Sequence, residues 1–104
     1  MTILTDERPT PVVAAVEVCE TAITLVLNDG RKIVAPLSWY PRLVHATEQE
    51  RNNFRLMGGG RGIHWPEVEE DISLESVLAG RRSMESPASL KRWLAAREKS
   101  KVDR

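Results

Sequence analysis

The residues with chemistry to offer are few, and most lie in one stretch. His64 is followed by Glu67, Glu69, Glu70 and Asp71, an imidazole beside carboxylates, the combination that supplies a general base or an oxygen-rich cation site. No nucleophile with an adjacent base accompanies them. On a strand, His64 points away from Ile63 and Trp65, so it reads as a half-buried residue hydrogen-bonded to backbone or to a nearby carboxylate rather than as a catalytic base. Cys19, His45 and His64 lie far apart and form no spaced ligand set for zinc. The run Gly58-Gly59-Gly60-Arg61-Gly62 invites comparison with phosphate-binding loops. Here, however, the glycines are expected to follow a helix and enter a strand, and the lysine and hydroxyl of such a loop are missing. It reads as a turn. The sequence therefore assigns no catalytic, cofactor-binding or metal-binding residue, and the expectation is a protein that is not an enzyme.

The elements that must position these residues follow from periodicity and punctuation. Val12, Ala14, Val16 and Val18 share one parity, with Val13, Ala15, Glu17 and Cys19 on the other, which predicts a first strand. Ile23, Leu25 and Leu27 alternate in a second. Asp29-Gly30 before Arg31 to Ala35 predicts a hairpin closed by a type I′ turn. Ser38 is placed to cap a short helical segment from Trp39, with Pro41 in its first turn. Thr47 and Glu50 form a capping-box pattern for a helix carrying Phe54 and Met57 inward, exposing Arg51, Asn52 and Arg55, and stopping at Gly58. Ile63 to Trp65 is a brief strand closed by Pro66. Ser73 caps a helix ending at Gly80, and Ser86-Pro87 opens a last helix with a Leu90, Trp93 and Leu94 stripe. The fold class expected is α+β: a small, mainly antiparallel sheet of three N-terminal strands plus a short fourth, covered by helices, with an extra C-terminal helix.

At 104 residues and 41% hydrophobic content the chain has material for one core. A lone Cys19 needs no oxidising compartment, and neither a signal peptide nor a membrane span is visible, so the cytoplasm is the expected setting. The division expected is a mobile lead-in over 1–11, an α+β domain over 12–80 and a basic helical extension over 81–104. The formal charge is zero but uneven. From His64 to Leu78 there are five acidic residues and no basic one; from Arg81 to Arg104 there are eight basic residues against three acidic, a net charge of +5. Such a band and tail either pair within the molecule or mark two faces.

Several ordered motifs carry a resemblance. Asp29-Gly30-Arg31, the stretch from Pro36 to Leu43 (PLSWYPRL), Ala46 to Arg51 (ATEQER), Gly58 to Pro66 (GGGRGIHWP), Glu70 to Ser73 (EDIS) and Leu78-Ala79-Gly80 are similar to the successive signatures of domain-of-unknown-function family 2442. The match covers Val12 to Gly80. Tyr40, Phe54 and Glu69 depart from the residues usual at those places. The resemblance implies a small bacterial α+β domain, in longer relatives joined to a helix-turn-helix, and a suspected role beside a second small protein in toxin–antitoxin-like pairs. It brings no catalytic residues.

Two functional readings emerge. In the first, the protein is a non-catalytic interaction module, antitoxin-like, that binds a small protein through the sheet edge or the stripe of Leu90, Trp93 and Leu94, with the acidic band meeting a basic surface and His64, Trp65, Glu69, Glu70 and Asp71 as further candidate contacts. In the second, Arg81, Arg82, Lys91, Arg92, Arg97 and Lys99 neutralise phosphates and the chain is a nucleic-acid-binding regulator. Trp39 and Trp65 are expected to cover the core, while Trp93 either docks within the chain or grips a partner. Val13, Ala15 and Val26 make the second face of the first two strands unusually apolar, which predicts cover by the C-terminal helix or a homodimer.

Overall fold

The computed structural model describes residues 10–102, with side chains to Ser100. Most of the expected lead-in, residues 1–9, lies outside the described residues. The chain runs β1 (Val13–Val18), β2 (Ala22–Leu27), β3 (Lys32–Pro36), a 3₁₀ turn (Leu37–Trp39), α1 (Pro41–Val44), α2 (Glu48–Asn52), β4 (Arg55–Met57), β5 (Gly62–Trp65), β6 (Glu70–Ser73), α3 (Leu74–Leu78) and α4 (Pro87–Val102). The class is α+β, as the sequence predicts. The strands form two antiparallel three-stranded sheets, β1-β2-β3 and β4-β5-β6, rather than one sheet of four.

Local chemistry explains most elements. In the β2–β3 hairpin the Gly30 amide bonds the Leu27 carbonyl at 3.0 Å, and only Gly30 in the turn has positive φ, at 93°. The connection is therefore a three-residue loop ending in a left-handed glycine, not the expected type I′ turn. Thr47 and Glu50 make the full capping box of α2, and the Ser73 hydroxyl accepts from the Ser76 amide at the start of α3. Ser38 caps nothing; Tyr40 precedes α1, with Pro41 at its first position.

Three departures from the expected pattern matter. First, the register shifts between Val13 and Ala15, a β-bulge at Ala14. It exchanges parity within β1, so Val13 enters the core while Val16 and Val18 become the partly buried residues after it. Val13 thus leaves the outer face, where Ala15 and Val34 remain exposed. Second, α2 stops at Asn52, and Arg55 to Met57 form a strand paired to β5. The glycine run therefore follows a strand. Phe54 still packs on Trp65, ring centroids 5.9 Å apart, but Met57 is exposed. Arg51 is not on a solvent face either: its guanidinium donates to the Leu43 and Val44 carbonyls at 2.9 and 2.8 Å, satisfying the end of α1. Third, the acidic stretch forms β6, with Ile72 inward.

The two sheets meet where the glycine turn touches β1. The Val13 amide donates to the Gly60 carbonyl at 2.8 Å. Gly60 has φ 97°, and a Cβ there would lie 2.6 Å from the Val13 carbonyl oxygen. Only glycine permits this approach. One core, including Val13, Leu25, Leu27, Leu43, Ile63, Trp65 and Val68, runs through both sheets.

Candidate functional site

The register of β6 builds the site. Its partner is β5, paired Gly62 to Ser73, Ile63 to Ile72, His64 to Asp71 and Trp65 to Glu70. The Leu74 amide donates to the Arg61 carbonyl at 2.9 Å, so Leu74, Ile72 and Glu70 direct their backbone groups at β5. By the two-residue alternation of an antiparallel ladder, Asp71 and Ser73 direct theirs away, along an open edge. The Ser73 carbonyl, at the N-cap of α3, takes the first hydrogen bond of that helix; among the described residues no backbone group outside the helices and strands pairs with the Asp71 amide, the Asp71 carbonyl or the Ser73 amide.

Beside that edge lies a cleft of about 410 Å³. It is lined by Tyr40, Arg42, β6 with Glu69 before it, and the segment Arg81 to Glu85. The segment is held by the Ser83 amide on the Trp39 carbonyl, 3.0 Å, and by the ion pair of Glu85 with Arg42. Arg42 is the hub: its side chain is only 17% exposed, it donates also to the Val68 carbonyl at 3.2 Å, and Glu69 stands 3.9 Å away. The Arg42 guanidinium, with help from the Ser89 hydroxyl, holds the Glu85 carboxyl below the usual carboxylate range. Glu69 enters β6 with φ 53°, a left-handed conformation unusual for a side-chain-bearing residue. Met84, 95% exposed, stands at the rim.

Glu70 and Tyr40 form the polar floor. Glu70 shares the inward parity of Ile72, and burial pushes its carboxyl up to about 7, against the weaker pull of Arg42. No ion pair reaches it among the described residues. Among the described residues the buried Tyr40 hydroxyl has no hydrogen-bond partner. Burial, with the nearby Glu70 charge, raises its pKa above the ordinary value.

The residues singled out in the sequence divide sharply. His64, Glu69, Glu70 and Asp71 lie on or next to β6, and His64 Nδ1 meets the Asp71 carboxylate at 2.5 Å on the outer face of the sheet. That contact orients the imidazole, yet no described hydroxyl or thiol hydrogen-bonds the ring, so the pair lacks a nucleophile to activate. Trp65 is fully buried, its indole donating to the Arg51 carbonyl at 2.9 Å. It is a core residue and offers no contact surface, which corrects its place among partner-binding candidates. Leu90, Trp93 and Leu94 are half-buried. Trp93 packs on the core, with the Arg97 and Arg42 guanidinium carbons 4.6 and 5.1 Å from its ring centroid. Arg97 forks onto both Glu50 oxygens at 3.0 and 2.8 Å, and this lowers the Glu50 pKa. The C-terminal helix therefore docks by Trp93 and Arg97, away from the outer face of β1-β2-β3.

Of the basic residues, Arg97 is thus spent within the chain, and Arg82 stacks over Trp39 at 5.5 Å. Arg81, Lys91, Arg92 and Lys99 are exposed. Among the described residues no three His, Cys, Asp or Glu side chains gather as a metal ligand set, and no helix is long and apolar enough to cross a membrane. The sequence assigns no site role to Arg42 or Tyr40 and no strand edge to the acidic stretch. Their only signals are an arginine after a proline and a strand made of acidic residues.

Comparison with known proteins agrees with this architecture. A protein of unknown function from Rhodospirillum rubrum, known from a crystal structure, superposes with a TM-score of 0.63 at 21% identity, over 79% of this chain and 99% of that one. An uncharacterised protein from Chromobacterium violaceum, solved by NMR, gives 0.60 at 24%, over 83% and 75%. At such identities the likeness is one of fold. No curated protein matches. The model of one family, proteins of unknown function DUF2442, matches residues 13–83, from β1 into the segment that lines the cleft, and the chain belongs to that family.

Proposed function

We propose that the protein is a non-catalytic protein-interaction module whose docking site is the cleft beside β6. The observation that carries this reading is an open strand edge facing a cleft whose wall presents a 95% exposed methionine, Met84. Unpaired backbone groups next to exposed apolar surface are what a partner chain recognises. The acidic residues Glu69 and Asp71 add selectivity for a basic surface. The partner in this reading is a small protein, as an antitoxin-like role requires. Nucleic-acid binding through the tail draws less support, because Arg97 and Arg82 are already engaged.

The test is capture from native lysate by the full chain, after nuclease, compared with Met84→Asp. Met84 supports little of the fold, so the variant should keep its melting temperature. The reading expects one captured protein that Met84→Asp loses. Equal capture by both chains would remove the cleft as the site. Recovery that instead collapses between 50 and 200 mM salt and is abolished by nuclease would favour the tail.

A further inference from the structure

Resting on the reading of the cleft as a docking site, we propose that its occupant is an extended stretch of the partner's chain, adding a strand to the free edge of β6 and setting a lysine or arginine across from Glu70. The backbone supplies the first half of the match. Asp71 presents an amide and a carbonyl outward and Ser73 an amide, the Ser73 carbonyl being taken by the first hydrogen bond of α3. A strand added there lies about 4.8 Å from β6 and runs beside it for roughly 13 Å, the length of four residues. The cleft of about 410 Å³ has the room for such a segment.

Charge supplies the second half. Every cation facing Glu70 is committed or peripheral: Arg42 is met by Glu85 and Glu69, Arg82 lies on Trp39, and Arg81 is exposed at the rim. Glu69, Asp71 and Glu85 add negative charge around it, and Tyr40 is neutral. A half-buried carboxyl with no partner holds its proton to about pH 7; an incoming ammonium or guanidinium lets it ionise. The same acidic edge disfavours a second copy of this chain, since two β6 edges laid together place like charges across the ladder.

The experiment is amide NMR on the full chain with acetyl-Thr-Val-Lys-Val-Thr-amide and its analogue with Glu in place of Lys. The expected result is shifts confined to β6, Tyr40 and residues 81–85, with the lysine peptide binding at least about tenfold more tightly. Its affinity should rise about tenfold from pH 6 to pH 8, as a carboxyl titrating near 7 requires, and Glu70→Gln should flatten that dependence. Asp71→Pro, which removes one outward amide, should abolish binding while Asp71→Ala retains it. Glu70→Gln decides the matter if the proline variant unfolds. Equal affinity for the two peptides, shifts mapping elsewhere, or no binding at millimolar peptide overturns the inference. A lysate protein lost by Met84→Asp would then leave the docking reading standing without strand addition; loss of both results removes both.

Discussion

Replacing Gly60 with alanine isolates the joint between the two sheets. Gly60 sits at φ 97°, a conformation that costs a side-chain-bearing residue about 1–2 kcal/mol. Its new Cβ would also stand 2.6 Å from the Val13 carbonyl oxygen and 3.1 Å from the Val13 nitrogen. Those are backbone atoms and cannot rotate aside, so the turn must retreat from β1. Retreat breaks the 2.8 Å Val13–Gly60 hydrogen bond, a further cost of about 1 kcal/mol. The total is about 3 kcal/mol. Gly59→Ala is the matched control: φ is 68°, and nothing lies within 4 Å of the added carbon, leaving about 1 kcal/mol of backbone strain. At about 4 °C per kcal/mol for a domain of this size, thermal melts should place Gly60→Ala roughly 12 °C and Gly59→Ala roughly 4 °C below the parent. Equal losses would refute the argument, because they would mean that strain alone matters and that the approach to Val13 holds nothing.

Four further outcomes are expected. Glu70 has a raised native pKa, so its protonated form favours the folded state: stability should fall as pH rises from the ordinary carboxylate range through about 7. The loss is about 1–2 kcal/mol once solvent screening of this incompletely buried group is allowed for. Urea titrations across that window should lose the slope in Glu70→Gln. The Glu50 and Glu85 carboxyls are shifted down, by Arg97 and Arg42 respectively, so their contribution should be present above the ordinary range and disappear as pH falls through the lowered native values. A double-mutant cycle of Glu50→Ala and Arg97→Ala should give a coupling of about 1–2 kcal/mol, typical of a forked, partly buried pair, and a value near zero would make the contact incidental. Glu69→Gly should raise stability by about 0.5–1 kcal/mol in denaturant melts by relieving positive φ, since the Arg42 contact at 3.9 Å to an exposed carboxylate is weak.

Elements whose signals are local were legible in the sequence. The β2–β3 hairpin, the Thr47 capping box, the Ser73 cap and Pro87 at the start of α4 each rest on side-chain to backbone chemistry within a few residues. The bulge at Ala14 was not legible. It lies where Gly60 meets β1, a contact between residues far apart in sequence, and it decides which valine of β1 enters the core. Arg55 to Met57 reads as helix because Phe54 and Met57 are three apart. A strand of three residues shows no alternation long enough to compete, and pairing to β5 overrides the local preference. β6 was hidden by its composition: as an edge strand it needs only Ile72 in the core and can be acidic elsewhere. Missing β6 meant missing the cleft, although Glu69, Glu70 and Asp71 were already in view.

Helix α4 belongs to neither sheet. Its anchors are side chains, chiefly Trp93 and Arg97 with Ser89 on Glu85, and it begins beyond residue 83, where the family match ends. A helix held this way can open as a unit while the sheets stay closed. Its amides should then exchange with solvent through a low-energy opening, well before those of Leu25 or Ile63. The Glu50 carboxylate would lose Arg97 on each opening but keep the Thr47 amide, so α2 stays capped. The molecule would thus hold two tiers of cooperativity, a durable shared core and a helix that breathes against it.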